Sequence, residues 1–395
     1  MRTVYNKLST INESATIALA DRVRQMKAQG KSVIALQTGD PDFSTPQPIR
    51  EAAYTAINKG FTHYGDSRGL IDLRKAVSKK FQVINNIEYD PNKEILITHG
   101  AVHAYYCALQ AILNPGDEVL VPDPTWMTHS NMIRIVGGVP KSVPSSAEND
   151  FLPRLSDWQK SLSKRTVALV INFPSNPTGT MANQSYLSEV YEFALTNNLF
   201  IISDEVYENI TYDDNKPFSI GSLRDSKRIT ITINSFSKTF AMTGWRIGYL
   251  GAPERIVNQA LKASQYTITN VAPFIQKAAF VALTDERIPP ICEKMKQTYA
   301  KRREMVLRIH SECKMDKIQL IKPKGAFYFF IDVRRIRLDD QTISERLLNE
   351  ANTALVPGSV YGECGKGYLR MTIAAADEDI KAGFSALLNW VKNNY

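Results

Sequence analysis

Short, largely apolar runs recur along this chain with helix-patterned stretches between them, and that alternation restricts the fold more than any other feature. Ile95–Thr98, Glu118–Val121, Val167–Phe173, Phe200–Ser203 and Ile229–Ile233 read as strands, with helices between several of them, as at 101–113 and 183–197. A strand that is apolar on both of its faces must be covered on both, and interleaved helices supply that cover over a mainly parallel sheet. The expected class is α/β. The pattern changes after a long helical stretch at 291–313: Ala326–Asp332, a helix near 342–352, then Ala354–Val356 and Tyr368–Ile373 indicate a smaller α+β domain. Ahead of the alternating region, 11–30 reads as a helix capped by Ser9 or Thr10 and ended by Gly30, followed by the short run Val33–Leu36.

Open α/β sheets bind ligands beyond the carboxyl ends of their strands, and the chemically unusual residues of this chain fall there. Ile95–Thr98 is followed by Gly100 at a helix start, and Val167–Phe173 by Ser175-Asn176-Pro177-Thr178-Gly179. Phe200–Ser203 runs into Asp204-Glu205-Val206-Tyr207, and Ile229–Ile233 into Ser235-Phe236-Ser237-Lys238. The strand ends therefore offer helix-start amides, a side-chain amide, a carboxylate with a phenol, and hydroxyls beside an amine.

Several other classes of function are disfavoured. The net charge is +8, but the densest basic cluster, Arg334, Arg335 and Arg337, is short and lies beside Asp339 and Asp340, so no nucleic-acid partner is expected. A mildly basic surface suits small anionic ligands as well. Mean hydropathy is −0.24 and no apolar run approaches the roughly 18 residues of a membrane span, so no membrane partner is expected either. The polar start, Met1 to Thr10, lacks the apolar centre of a secretory signal, and the expected location is cytoplasmic. Cys107, Cys292, Cys313 and Cys364 are far apart, which argues against both a metal site and a disulfide framework.

Lys238 stands out through its surroundings. Ser235 and Ser237 supply hydroxyls, Arg246 supplies a planar cation suited to a phosphate, and Gly244 and Gly248 let backbone approach closely. Amides at the helix start after Gly100 suit the same anion. A phosphate site beside an amine of adjustable pKa is what an aldehyde cofactor carrying a phosphate requires.

The run from Ser235-Phe236-Ser237-Lys238 through Gly244-Trp245-Arg246-Ile247-Gly248 resembles the cofactor-lysine signature of class I/II aminotransferases, pyridoxal-phosphate enzymes of fold type I. Asn176-Pro177-Thr178-Gly179, Asp204-Glu205-Val206-Tyr207 and the late Arg370 in Tyr368-Leu369-Arg370-Met371 are similar to the family's other motifs and stand in its order. The resemblance runs from Ser14-Ala15-Thr16 through Gly39-Asp40-Pro41-Asp42 to Gly367-Tyr368-Leu369-Arg370 and points to the aspartate-aminotransferase-like subgroup.

It implies a seven-stranded, mainly parallel large domain at 48–290, a small C-terminal domain at 291–395, and an N-terminal arm with part of the small domain at 1–47. The implied cofactor is pyridoxal 5′-phosphate, held as a Schiff base by Lys238, which is also the proton-transferring base. By the same resemblance Asp204 pairs with the pyridine nitrogen, Tyr207 and Asn176 bond the ring oxygen, and Trp126 stacks on the ring. The phosphate falls to the amides of Ala101 and Val102 with Ser235, Ser237 and Arg246, and the substrate α-carboxylate to Arg370, Asn176 and the Gly39 backbone. Tyr64 matches a tyrosine that reaches the phosphate of a partner subunit, which implies a homodimer. Substrates would be an amino acid and a 2-oxo acid, converted in two half-reactions.

Two departures bear on the substrate. Glu13 precedes Ser14-Ala15-Thr16 where aspartate-type relatives often carry proline, and Gly100-Ala101-Val102-His103 lacks the polar pair they often place in the phosphate turn. Val102 cannot meet an acidic side chain, so no strong preference for a dicarboxylic donor is expected unless another cation reaches the pocket. The competing outcomes on the same fold are an elimination or cyclising lyase and an amino-acid oxidase. A regulator with an added DNA-binding module would need a helix-turn-helix ahead of Ser14, where no room is expected.

Overall fold

The computed structural model describes Leu8, Ile11 and residues 13–395. The proposed caps Ser9 and Thr10 lie outside the described residues. The first helix spans Ala15–Ala28 rather than 11–30, and Ser14 occupies its cap position without a side-chain cap bond. The next segment forms β1 (Ile34–Ala35).

A seven-stranded sheet dominates the middle of the chain. Its strands are β2 (Ile95–Thr98), β3 (Glu118–Asp123), β4 (Val139–Pro144), β5 (Thr166–Asn172), β6 (Phe200–Asp204), β7 (Thr230–Ser235) and β8 (Gly248–Gly251). They lie in the order β2-β8-β7-β6-β5-β3-β4. All neighbours are parallel except at β8, which runs antiparallel to both β2 and β7. The strands β2, β6, β7 and β8 are buried along nearly their whole length, as two covered faces demand. On one side the helices Gly100–Ile112 and Glu254–Thr267 pack Ala104, Tyr105, Ala108, Ile256, Val257 and Ala260 against the sheet. On the other, Trp158, Leu187, Val190 and Ala194 join Leu169 and Ile201.

Two strands of this sheet escaped the sequence reading, β4 and β8. β4 is mostly exposed or half-buried at the sheet edge, so it carries no apolar run to betray it. β8 is Gly-Tyr-Leu-Gly, too glycine-rich to register as a strand by composition.

The chain then enters a long helix, Ile288–Cys313. Ile288 packs with the large-sheet core, whereas Tyr299 and Val306 belong to a second core. That core covers a four-stranded antiparallel sheet of β9 (Gln319–Ile321), β10 (Tyr328–Asp332), β12 (Val356–Pro357) and β13 (Tyr368–Thr372), in the order β12-β13-β10-β9. Between them β11 (Thr353–Ala354) pairs in parallel with β1, so the N-terminal segment is built into the C-terminal part of the fold. Val23 and Met26 of the first helix pack there too, with Leu348 and Ala354. Among the described residues, no helix is long and apolar enough to cross a membrane.

Candidate active site

Sheet register brings the unusual residues together. Asn172 at the end of β5 lies opposite Asp204 at the end of β6, and Asp204 lies opposite Ile233 of β7. Gly248 of β8 is flanked by Thr98 of β2 on one side and Ser235 of β7 on the other. The helix start at Gly100, the serine pair and the Arg246 turn are thus forced into one neighbourhood at the end of the sheet. In the second sheet Arg370 of β13 lies opposite Phe330, with Tyr328 diagonal to it on the same face.

These ends enclose a cavity of about 430 Å³. Of the residues expected at the site, Gly39, Ala101, Val102, Trp126, Asn176, Asp204, Tyr207, Ser235, Ser237, Lys238, Arg246 and Arg370 all line it. Tyr64 does not; it is 87% exposed on the surface.

Lys238 reaches across to the opposite wall, where its Nζ donates to the Gly39 carbonyl oxygen at 2.6 Å. Burial pushes its amine down to about 8, and Arg370 and Arg246 add to the fall while Asp40 and Asp204 oppose it. Gly39 is held by its neighbours: Asp40 accepts from the Thr243 hydroxyl at 2.6 Å, and Asp42 takes both ends of the Arg302 guanidinium at 2.9 and 2.8 Å. A Cβ on Gly39 would run into the Tyr328 hydroxyl, so glycine is what lets the backbone line the cavity there.

Asp204 is buried at the cavity floor. His129 Nε2 lies 3.2 Å from its Oδ2, and the other ring nitrogen faces the Thr125 hydroxyl at 3.2 Å. Trp126 meets the His129 ring edge-on at a centroid distance of 5.4 Å. Asn172 donates to the Asp204 carbonyl at 3.0 Å and accepts from the Asn176 amide at 3.0 Å, which fixes the loop after β5. The Tyr207 and Tyr328 hydroxyls pair at 2.8 Å, and burial holds the Tyr207 hydroxyl protonated well above its usual range.

Arg370 is buried and clamped. Its Nη1 donates to Asn176 Oδ1 at 3.0 Å and its Nη2 to the Gln37 carbonyl at 2.5 Å. Its guanidinium lies 4.4 Å from the Tyr328 ring centroid and 5.2 Å from that of Tyr361. Among the described residues its Nε is buried without a partner, as are Gln37 Oε1 and the Tyr361 hydroxyl, so donor and acceptor capacity remains here for a ligand.

An anion cradle stands opposite. Gly100 has φ +80°, and a Cβ there would come within 2.8 Å of Arg246 Nη2. A Cβ on Gly248 would fall 2.8 Å from the Ala101 amide nitrogen. Backbone, guanidinium and helix-start amides therefore crowd one spot that only glycine leaves open. Arg246 itself has φ 52°, uncommon for a residue with a side chain, and is tied by Nη1 to the Thr243 carbonyl at 2.8 Å. Strain of this kind is retained where the surroundings impose it, and such places are often functional.

His129, Asn172, Tyr328 and Tyr361 were not singled out in the sequence. Tyr328 sits in the run Tyr328-Phe329-Phe330-Ile331, which reads as core, and His129 carries no motif of its own. His99 and His103 bond locally: His103 Nε2 lies 2.8 Å from the Thr267 hydroxyl and Nδ1 accepts the His99 amide at 3.3 Å.

The comparisons with known proteins agree with this geometry. The family model "Aminotransferase class I and II" matches residues 31–387. An aspartate aminotransferase of Pyrococcus abyssi is 42% identical over 376 residues, covering 95% of each chain. An aromatic-amino-acid aminotransferase 2 of Thermococcus litoralis is 40% identical over 377 residues, again 95% of each. The solved structure of an aspartate aminotransferase from Thermus thermophilus with maleate superposes with a TM-score of 0.93 at 32% identity, covering 98% of this chain and 100% of that one. With its motifs converging on one cavity and its whole length matched by such relatives, this chain belongs to the class I and II aminotransferases and is a transferase enzyme.

Proposed function

We propose that this aminotransferase uses pyridoxal 5′-phosphate carried on Lys238 to move an amino group from an amino acid to a 2-oxo acid. The observation that carries the reading is the convergence on one cavity of an amine depressed to about 8, a buried carboxylate, a glycine-bounded anion cradle and a clamped arginine. The donor set fits the group: the Ala101 and Val102 amides, Ser235, Ser237 and Arg246 for a phosphate, Asp204 for a ring nitrogen, and Asn176 and Tyr207 for a ring oxygen. When bound, the cofactor supplies an aldehyde that condenses with amines and a ring that takes up electrons from the substrate's Cα.

The protein's own groups account for the rest. An amine near pKa 8 is about one-tenth neutral at pH 7, far more than an ordinary lysine, so Lys238 Nζ can take the Cα proton and return it. His129 donates to Asp204 in the tautomer that keeps the carboxylate an acceptor, leaving its negative charge to hold a proton on the group above it. Tyr207, kept protonated, donates its hydroxyl. Arg370 offers a fork to the α-carboxylate, and its Nη1 bond to Asn176 fixes the plane of that fork. Trp126 closes the cavity against His129.

The same reading takes 1–47 as arm and part of the small domain, 48–290 as the large domain and 291–395 as the small domain. The pairing of Ile34–Ala35 with Thr353–Ala354 supports that grouping. It also takes the molecule as a homodimer, with exposed Tyr64 reaching the partner's site, and as cytoplasmic, which suits its free cysteines. The test is borohydride reduction of the holoenzyme followed by peptide mapping, with an amino-acid panel against 2-oxoglutarate and pyruvate. A phosphopyridoxyl label on Lys238, and its loss with all turnover in Lys238→Ala, are expected. A label on another lysine, or ammonia or peroxide release in place of a new amino acid, refutes the reading.

A further inference from the structure

The first helix contributes a wall of the cavity. Thr16, Ala20 and Arg24 are spaced four residues apart and share one face of Ala15–Ala28; with Ile17 they line the cavity. Val23 and Met26 of the same helix are buried against Leu348 and Ala354, which anchors the helix and fixes which face looks inward. Arg22 lies off the cavity, pairing with Asn349 at 3.1 Å and Glu345 at 3.6 Å.

Among the described residues, four cations line the cavity, Arg24, Lys238, Arg246 and Arg370. Three are committed: Lys238 to the Gly39 carbonyl, Arg246 to the cradle at Gly100, and Arg370 to Asn176 and Gln37. Among the described residues Arg24 is tied only to Asp21, one turn away on its own helix and outside the cavity lining. Both partners of that pair are well exposed, and a pair of this kind contributes little, so an incoming carboxylate competes with it readily. Ile17, Ala20 and Val102 also line the cavity and offer no charge.

We infer that Arg24 receives the second carboxylate of a dicarboxylic substrate, and is the residue of this chain that sets preference for acidic over neutral amino acids. The inference rests on Arg370 taking the α-carboxylate, as proposed above. A neutral side chain makes no use of Arg24. The cation is exposed to water and screened by salt, so the preference it confers is modest, about fivefold at low ionic strength, and shrinks as salt rises.

The experiment has an equilibrium arm and a kinetic arm, both on holoenzyme. In the first, succinate and butyrate, four-carbon probes differing by one carboxylate, are titrated calorimetrically against wild type, Arg24→Ala, Arg24→Lys and Arg22→Ala. In the second, kcat/KM is measured for aspartate, glutamate, alanine and phenylalanine. Wild type should favour succinate about fivefold. Arg24→Ala should abolish that margin and lower kcat/KM about fivefold for the two acidic donors alone, Arg24→Lys should keep part of it, and Arg22→Ala should change nothing. Equal ratios in wild type and Arg24→Ala, or an equal fall in Arg22→Ala, overturn the role of Arg24 and leave the transaminase reading standing. Failure of wild type to convert any donor overturns that reading and this inference together.

Discussion

Replacing Arg370 by lysine isolates what the shape of the guanidinium contributes, because charge is retained. In the wild type the group makes two hydrogen bonds, to Asn176 Oδ1 at 3.0 Å and the Gln37 carbonyl at 2.5 Å, and lies 4.4 and 5.2 Å from the ring centroids of Tyr328 and Tyr361. An ammonium is a point charge and cannot satisfy both acceptors while presenting two parallel donors to a carboxylate. One charge-assisted bond to substrate is lost, about 1.5–3 kcal/mol, and one buried acceptor is left unpaired, about 1–3 kcal/mol. Because the second penalty also falls on the free enzyme, it cancels from kcat/KM, and the loss should be about 1.5–3 kcal/mol, roughly tenfold to a hundredfold. Every amino acid carries the α-carboxylate, so the factor should be similar for aspartate, alanine, phenylalanine and lysine. Steady-state kcat/KM for these four in wild type and Arg370→Lys is the assay. A loss confined to one donor would place Arg370 at the side chain, and a loss below tenfold would show that the fork is not used. An aspartate preference above a hundredfold in wild type would exceed what one exposed cation beside Val102 explains.

Asp204→Ala should slow Cα deprotonation by several orders of magnitude, each tenfold being about 1.4 kcal/mol of barrier, while cofactor affinity falls less; single-turnover rates near wild type would remove Asp204 from the role. The Lys238 amine of the apoenzyme should be protonated and inert below its pKa of about 8 and become nucleophilic as pH rises through it, well below the 10.5 of an ordinary lysine. Rates of trinitrobenzenesulfonate labelling at Lys238, followed by peptide mapping across pH, should show that midpoint, and Asp40→Asn should move it lower, since Asp40 stabilises the charged form. A midpoint near that of the surface lysines would refute the burial argument.

What the sequence determined alone was local chemistry and its order. The groups proposed as catalytic, Asp204, Tyr207 and Lys238, lie at or just beyond strand ends, and strands as apolar as Ile95–Thr98 or Thr166–Asn172 must be buried on both faces, so a parallel sheet with its ligand site at the carboxyl ends was legible without coordinates. The motif order around Asn176, Asp204, Lys238, Arg246 and Arg370 was legible because each sits in a short run whose residue types, on the proposed reading, suit contact with one ligand group. Contacts between residues far apart in the chain left no local mark. The edge strand Val139–Pro144 and the glycine-bounded Gly248–Gly251 lack an apolar run, and sheet pairing alone makes them strands. His129 reaches Asp204 across 75 positions, and Tyr207 pairs with Tyr328 across 121; only packing decides such distances. Arg24 reads as one more surface charge on a helix. The burial of Val23 and Met26 against the C-terminal part of the fold turns its face to the cavity, because anchoring one side of a helix dictates what the other side meets.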